Sequence, residues 1–247
     1  NNYSDLTFDS SLIADNNALY GAAFRLKTGT ILNLSNSVVS ENTAEVSGSV
    51  VYAVTSCSLN VSHSTITANG NDNNDDSNIF LAESYFAQID NSIIWNEDEI
   101  EIDYDNSGVL EIEYSDIQGG WEGDGNINSN PLFCNADSTD FTVAENSPCV
   151  GTGENGSNMG AFGVGCGPYN FSPTEFSLST PSNNAQITID DSNMNDGFIT
   201  FSWDESSDEN GDSLVYLMHA TSTEIGDFSL DTNITYIDIS YMDLIEN

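Results

Sequence analysis

Asp208-Glu-Asn210-Gly-Asp212 sets oxygen-bearing side chains at alternate positions around a glycine, which is the donor type and the turn that calcium loops use. An EF-hand would need a glutamate at the twelfth position, where this chain has His219, so that motif fails. What remains is a weak calcium candidate on Asp208, Asn210 and Asp212, set against a plain hairpin turn, since Asn-Gly is a strong turn signal. Two more acidic groups are candidates of the same kind: Asp72, Asp75 and Asp76 in the loop Asn69–Asn78, and the strand face Glu99, Glu101, Asp103 and Asp105. Solvated loops and strand faces share that composition.

Aromatic residues suggest a second chemistry, stacking on sugar rings. Trp121 lies in a glycine-rich loop, Trp95 follows the apolar Ile94 and should point opposite to it, and Tyr85 is a third candidate. The competing use of both tryptophans is to shield an exposed edge of the fold. Catalysis has less support. Arg25 and Lys27 are the only cationic side chains apart from two histidines. A glycoside hydrolase needs carboxylates at a defined separation, and nothing marks two acids out from their neighbours. His63 occupies a bend position held in other copies of a repeat (below) by Ser, Asn or Tyr. Cys57, Cys134, Cys149 and Cys166 form no Cys-x-x-Cys, and neither His63 nor His219 has zinc-like spacing to them. No catalytic residue is expected within this stretch.

The charge excludes other partners. Two Lys+Arg against 40 Asp+Glu give −38, with 25 of the acids in residues 1–167 and 15 in 168–247. Such a field repels nucleic acid and anionic membrane. It suits a salty medium, where screening relieves self-repulsion, or divalent cations at particular clusters. No apolar run approaches the roughly 20 residues of a membrane-spanning helix. The chain begins with Asn and shows no signal peptide, and both ends read as cut.

What positions these residues is an eleven-residue phrase present five times. Its clearest copy is Leu32-Asn-Leu-Ser-Asn-Ser-Val-Val-Ser-Glu-Asn42. The column Phe8, Leu34, Val61, Ile89, Ile112 advances by 26, 27, 28 and 23 residues. A second apolar column (Ile13, Val39, Ile66, Ile94, Ile117) and a serine column (Ser11, Ser37, Ser64, Ser92, Ser115) keep the same steps. Periods of 20–50 residues indicate stacked architectures. Alternation in the first half of the phrase reads as a strand with one buried face. A polar bend, a second short strand and an asparagine (Asn16, Asn42, Asn69) follow, and then a third strand. Asn tolerates left-handed backbone and can bond its equivalent in the next coil. Three strands per turn without helical periodicity predict a parallel β-helix; a leucine-rich repeat would need a different frame and a helix per repeat. Residues 118–167 read as irregular last coils plus a cap on the open end.

The closing segment YSDIQGGW…GNI…NPLF…F…SPC…GAFG (114–163) resembles that of right-handed parallel β-helix repeat proteins with the pectin-lyase-like fold. The resemblance implies a secreted or bacterial cell-surface protein. Since many such proteins are polysaccharide lyases or hydrolases, it also raises carbohydrate as a partner. In proteins of this kind the residue after Ser-Pro, Cys149 here, is often a small buried hydrophobe. That leaves Cys134 and Cys166 as disulfide candidates in an oxidising compartment, although spacing alone does not supply connectivity.

From residue 168 the phrase is lost. FITFSW (198–203), LVYLMHA (214–220) and ITYIDIS (234–240) alternate as strands of a β-sandwich. With Trp203 as core tryptophan, the pattern looks like a fibronectin type III or immunoglobulin-like module that stops after its fifth strand. The expected fold is therefore all-β: a right-handed parallel β-helix of about five to six coils with a C-terminal cap over 1–167, then an incomplete β-sandwich over 168–247. The expected function is a non-catalytic, adhesin-like scaffold that binds glycan or another surface protein, calcium being the one candidate cofactor. The alternatives are a carbohydrate-active enzyme whose catalytic coils lie largely outside this stretch, and a purely structural stalk.

Overall fold

The computed structural model describes residues 4–71, 77–83, 85–96, 101–222 and 226–241. Asp72, Asp75, Asp76 and Glu99 lie outside them. The chain divides into two compact units, 1–169 and 170–247.

The first unit is a parallel β-solenoid of about four turns with almost no helix. Each full turn crosses four sheets rather than the three expected. Sheet I contains Ser4–Asp9, Thr30–Ser35, Ser58–Ser62, Phe86–Asp90 and Val109–Glu113. Sheet II contains Leu12–Ala14, Val38–Ser40, Thr65–Thr67, Ile93–Trp95 and Asp116–Ile117. Sheet III holds Asn17–Tyr20, Thr43–Ser47 and Gly70–Asn71; sheet IV holds Phe24–Leu26, Val51–Val54, Ile79–Ala82 and Ile102–Tyr104. The fifth phrase adds strands to sheets I and II only, after which the chain leaves the solenoid.

Register follows the sequence columns. Ile13, Val39, Ile66, Ile94 and Ile117 stack in succession through sheet II and point inward. Leu32, Leu34, Leu59, Val61, Ile79, Leu81 and Ile89 are at most 1 % exposed and fill the interior between the sheets. Each such side chain removed from water contributes about 1.5–3 kcal/mol.

Two side-chain ladders hold the corners. At the first, Ser10, Asn36, His63, Asn91 and Tyr114 are all left-handed, with φ between 43° and 50°. The serine that follows each one joins a ladder: the N–H of Ser11, Ser37, Ser64 and Ser92 donates to the Oγ of the next serine at 3.1–3.2 Å. Asn126 Oδ1 ends this ladder by accepting the N–H of Ser115 at 3.0 Å. At the second corner the left-handed residues are Asp15, Glu41 and Ala68, one before each asparagine, so the asparagines do not adopt the left-handed backbone expected of them. Their amides are used between turns instead. Asn16, Asn42 and Asn69 each donate N–H and Nδ2 to the Oδ1 of the next asparagine, ending at Asn96.

Residues 129–169 fold back over the outer face of sheet II. Val143, Cys149 and Met159 form one buried cluster with Ile93, against which Trp95, Ile127 and Phe133 pack. Gly160 donates its N–H to Asn91 O at 2.8 Å and Ala161 to Thr65 Oγ1 at 3.0 Å. Gly160 has φ +88°, and a Cβ there would collide with Ile93 and Thr65. The reason lies in sheet II itself, whose outward column Val38, Thr65, Ile93, Asp116 is buried like its inward one. A strand apolar on both faces needs cover on both.

The second unit has an antiparallel sheet of Leu178–Thr180, Phe198–Trp203 and Tyr236–Ser240, and a hairpin of Tyr216–Ser222 with Gly226–Thr232. Trp203, Tyr216, Ile199 and Ile239 are buried in it.

Candidate functional site

Trp121 comes just after the chain leaves the fifth turn, where Gly119 and Gly120 both adopt positive φ. Its ring packs against the solenoid core and lies 5.5 Å from that of Tyr104, tilted by 56°. Asn126, which ends the serine ladder, also donates Nδ2 to Ile112 O at 2.8 Å and to Trp121 O at 3.4 Å, fixing the loop to the last strand of sheet I. Together with Tyr85, Asn106, Leu110 and Glu122, Trp121 and Tyr104 line a cleft of about 540 Å³. Gly108 also lines it; a Cβ there would strike the Tyr85 carbonyl, so only glycine allows the strand to close on this edge. Burial, and then the nearby Asp105 charge, push the Tyr85 phenol above its ordinary pKa. The cleft thus joins aromatic surface to a carboxylate and an amide, the chemistry that recognises sugar rings and their hydroxyls.

Trp95 lies elsewhere. Its ring is half-buried under the returning segment and lines a separate cavity of about 360 Å³ with Thr67, Phe133, Asp137 and Tyr169. The two tryptophans do not form one platform.

Hydrogen bonds within the chain reach two side-chain oxygens of the calcium candidate, Asp208 Oδ1 and Asn210 Oδ1. Asp208 Oδ1 accepts the N–H of Asn210 at 2.9 Å and of Asp212 at 3.2 Å, and Asn210 Oδ1 accepts Phe171 N–H at 2.6 Å. Gly211, at φ +79°, donates to Asp208 O. This is the geometry of a side-chain-closed turn. Among the described residues, no three His, Cys, Asp or Glu side chains converge to hold a metal ion.

The strand face expected to be wholly solvated is not. Asp103 and Asp105 are exposed, and hydrogen bonds from Ser107 and Glu83 hold the Asp105 carboxyl below its usual range. Glu101 is 3 % exposed and closes the asparagine ladder. Arg25 is exposed, but its guanidinium sits over the rings of Tyr20 (5.3 Å) and Tyr52 (5.8 Å). His63 is one of the left-handed bend residues.

No family model, curated protein or solved structure matches the chain. The functional reading therefore rests on the geometry of its own residues.

Cys134 and Cys166 are joined by a disulfide across 32 residues, tying both ends of the returning segment's three-stranded sheet, Phe133–Asn135, Asp140–Ala144 and Val164–Cys166. Cys57 and Cys149 are buried thiols. Cys149 donates Sγ–H to Asp116 Oδ2 at 3.1 Å, while Ser129 N–H reaches Asp116 Oδ1 at 3.1 Å. Burial raises the Asp116 carboxyl to about 6, although both hydrogen bonds oppose the shift. Burial, followed by the Asp116 charge, also raises the Cys149 thiol, which makes it a poor nucleophile. Sequence reading missed Asp116. Its one signal was an acidic residue in the column that elsewhere holds Leu12, Val38, Thr65 and Ile93.

Proposed function

We propose that this chain is a non-catalytic binding scaffold, secreted or displayed on a cell surface, whose solenoid presents the Trp121 cleft to a glycan. The observation that carries the reading is the union of Trp121, Tyr104, Asn106 and Glu122 around one opening at the last turn. Such a site offers ring stacking and hydroxyl hydrogen bonding without a cation. The setting of Arg25 favours binding over uronate cleavage, because its guanidinium is engaged by two tyrosine rings. The Cys134–Cys166 disulfide suits an oxidising compartment. Residues 168–247 serve in this reading as a fibronectin-III-like spacer that follows, in the sequence, a right-handed, pectin-lyase-like helix. Binding to a panel of neutral, amino and uronate oligosaccharides tests it, with loss on Trp121→Ala expected. Turnover of any member of the panel would instead make the protein a carbohydrate-active enzyme.

A further inference from the structure

The cavity beside Trp95 is built from two successive turns of sheet II and from the segment that returns over them. Thr67 and Trp95 line it from the solenoid, Phe133 and Phe141 from two antiparallel strands of the returning segment. The two phenylalanine rings meet at 72°, with 5.5 Å between centroids. Tyr169 is the fourth aromatic residue of the lining, and one amide holds its main chain. Asn146 Nδ2 donates to Tyr169 O at 3.1 Å, and Asn146 Oδ1 accepts Tyr169 N–H at 2.7 Å. Four aromatic side chains thus line about 360 Å³, the low end of the range for small-molecule sites.

Two further features say what such a box would take. Its neutral polar side chains already serve the fold. Asn96 Oδ1 accepts Asn69 N–H at 2.8 Å, and Asn96 Nδ2 donates to Glu101 Oε2 at 2.7 Å. Asn130 Oδ1 accepts Leu132 N–H at 3.0 Å, and Thr67 Oγ1 donates to Trp95 O at 2.6 Å. A sugar or a primary ammonium, both rich in O–H or N–H donors, would leave water for too few new partners. Among the described residues, Asp137 is the one charged side chain of the lining; it is exposed in the short turn Ala136–Ser138. In a chain of −38 net charge that carboxylate favours a cationic occupant.

We infer that this cavity binds a quaternary ammonium group, the trimethylammonium head of a choline-type molecule. Such a head carries its charge on methyl groups and has no N–H to satisfy, so it fits a lining whose acceptors are taken. The aromatic rings attract it through their negative faces, Trp most strongly, and Asp137 supplies the counter-charge. The Cys134–Cys166 disulfide, next in sequence to Phe133, fixes the sheet that carries both phenylalanines and so prepares the box before the ligand arrives. The site shares no lining residue with the Trp121 cleft.

The test is isothermal calorimetry of the 247-residue chain with choline, in about 0.15 M sodium chloride to screen the general field. Saturable binding is expected. Ethanolamine, which keeps the charge without the methyls, and 3,3-dimethylbutan-1-ol, which keeps the shape without the charge, should each bind about tenfold more weakly or not at all. Phosphocholine distinguishes the source: comparable affinity supports a head group carried on a larger molecule, and weaker affinity supports a free cation. Phe133→Leu and Tyr169→Leu, which keep apolar volume but remove a ring, should each weaken choline binding by about tenfold, and Asp137→Asn by several-fold. Asp137 and Tyr169 are exposed, so melting should be unchanged in their variants; Trp121→Ala should bind choline as wild type does. Equal affinity for ethanolamine would show general attraction to an acidic surface, and equal affinity for the neutral alcohol a plain apolar pocket. Either result would overturn the inference, as would no choline binding or full affinity in both Tyr169→Leu and Asp137→Asn.

Discussion

Glu101 takes the place of an asparagine that the next turn does not supply to Asn96. Its Oε1 accepts the Asn96 main-chain N–H at 2.8 Å and its Oε2 accepts Asn96 Nδ2 at 2.7 Å. Each earlier asparagine makes the same pair of bonds to the Oδ1 of its successor. Oε2 also takes Asn78 Nδ2 at 3.2 Å. One carboxylate thus ends a buried row of amides that would otherwise leave donors unpaired. Glu101→Ala should destabilise the solenoid by about 2–4 kcal/mol, since buried donors lose their acceptors. Urea denaturation followed by tryptophan fluorescence measures this, and a change under about 0.5 kcal/mol would contradict it.

The serine ladder has a direction, and its members should differ in consequence. Ser64 Oγ accepts Ser37 N–H and donates to Ser62 O, both in the interior. Ser11 accepts no main-chain N–H among the described residues. Ser64→Ala is expected to cost about 1–3 kcal/mol by orphaning a buried N–H, and Ser11→Ala under about 0.5 kcal/mol. Equal costs in the same denaturation experiment would mean that the ladder is not the stabilising element.

Asp116 makes stability depend on pH. Its folded-state carboxyl titrates near 6, raised from 3.8 by burial. The protonated acid is therefore favoured by folding. Its contribution is fully present below about pH 4 and lost as pH rises through about 6. At roughly 1.4 kcal/mol per pKa unit, the span is about 3 kcal/mol. Melting curves from pH 4 to 7.5 should show this loss in the wild type. In Asp116→Asn the slope should flatten across that window, and an unchanged slope would rule Asp116 out as its source.

The disulfide should stabilise the returning segment chiefly through the unfolded chain. Closing 32 residues between Cys134 and Cys166 is worth about 3–4 kcal/mol on a loop-entropy estimate. Reduction should lower the melting temperature and expose the sheet II face near Ile93 to hydrogen exchange. No shift on reduction of the wild type, or an equal shift when reductant is added to the Cys134→Ser/Cys166→Ser variant, would show that the bond does not contribute.

The solenoid was legible in the sequence because its register is carried by three columns, apolar, serine and asparagine, that repeat without exception where they occur. What escaped had a physical cause in each case. The two-faced burial of sheet II is written in the doublets Val38-Val39 and Ile93-Ile94, which a one-face reading of alternation treats as noise. Glu101 looked like one more solvated acid because periodicity gives a face but not the end of a ladder. The Trp121 cleft combines residues from sheet IV, sheet I and a loop, and residues such as Tyr104 and Glu122 come together only once the coils stack. Trp95 followed the alternation rule and pointed away from Ile94, but onto a covered face.

The proposed glycan site in the Trp121 cleft can be measured by isothermal calorimetry with the best oligosaccharide from the panel. Wild type should bind, while Trp121→Ala and Asn106→Ala should each lose at least about tenfold in affinity, roughly 1.4 kcal/mol or more. Asn106→Ala is paired with Trp121→Ala because only Trp121 also packs against the core; melting temperatures measured alongside separate lost binding from lost fold. Undiminished binding by both variants, or no binding of any panel member by the folded wild type, would contradict the claim.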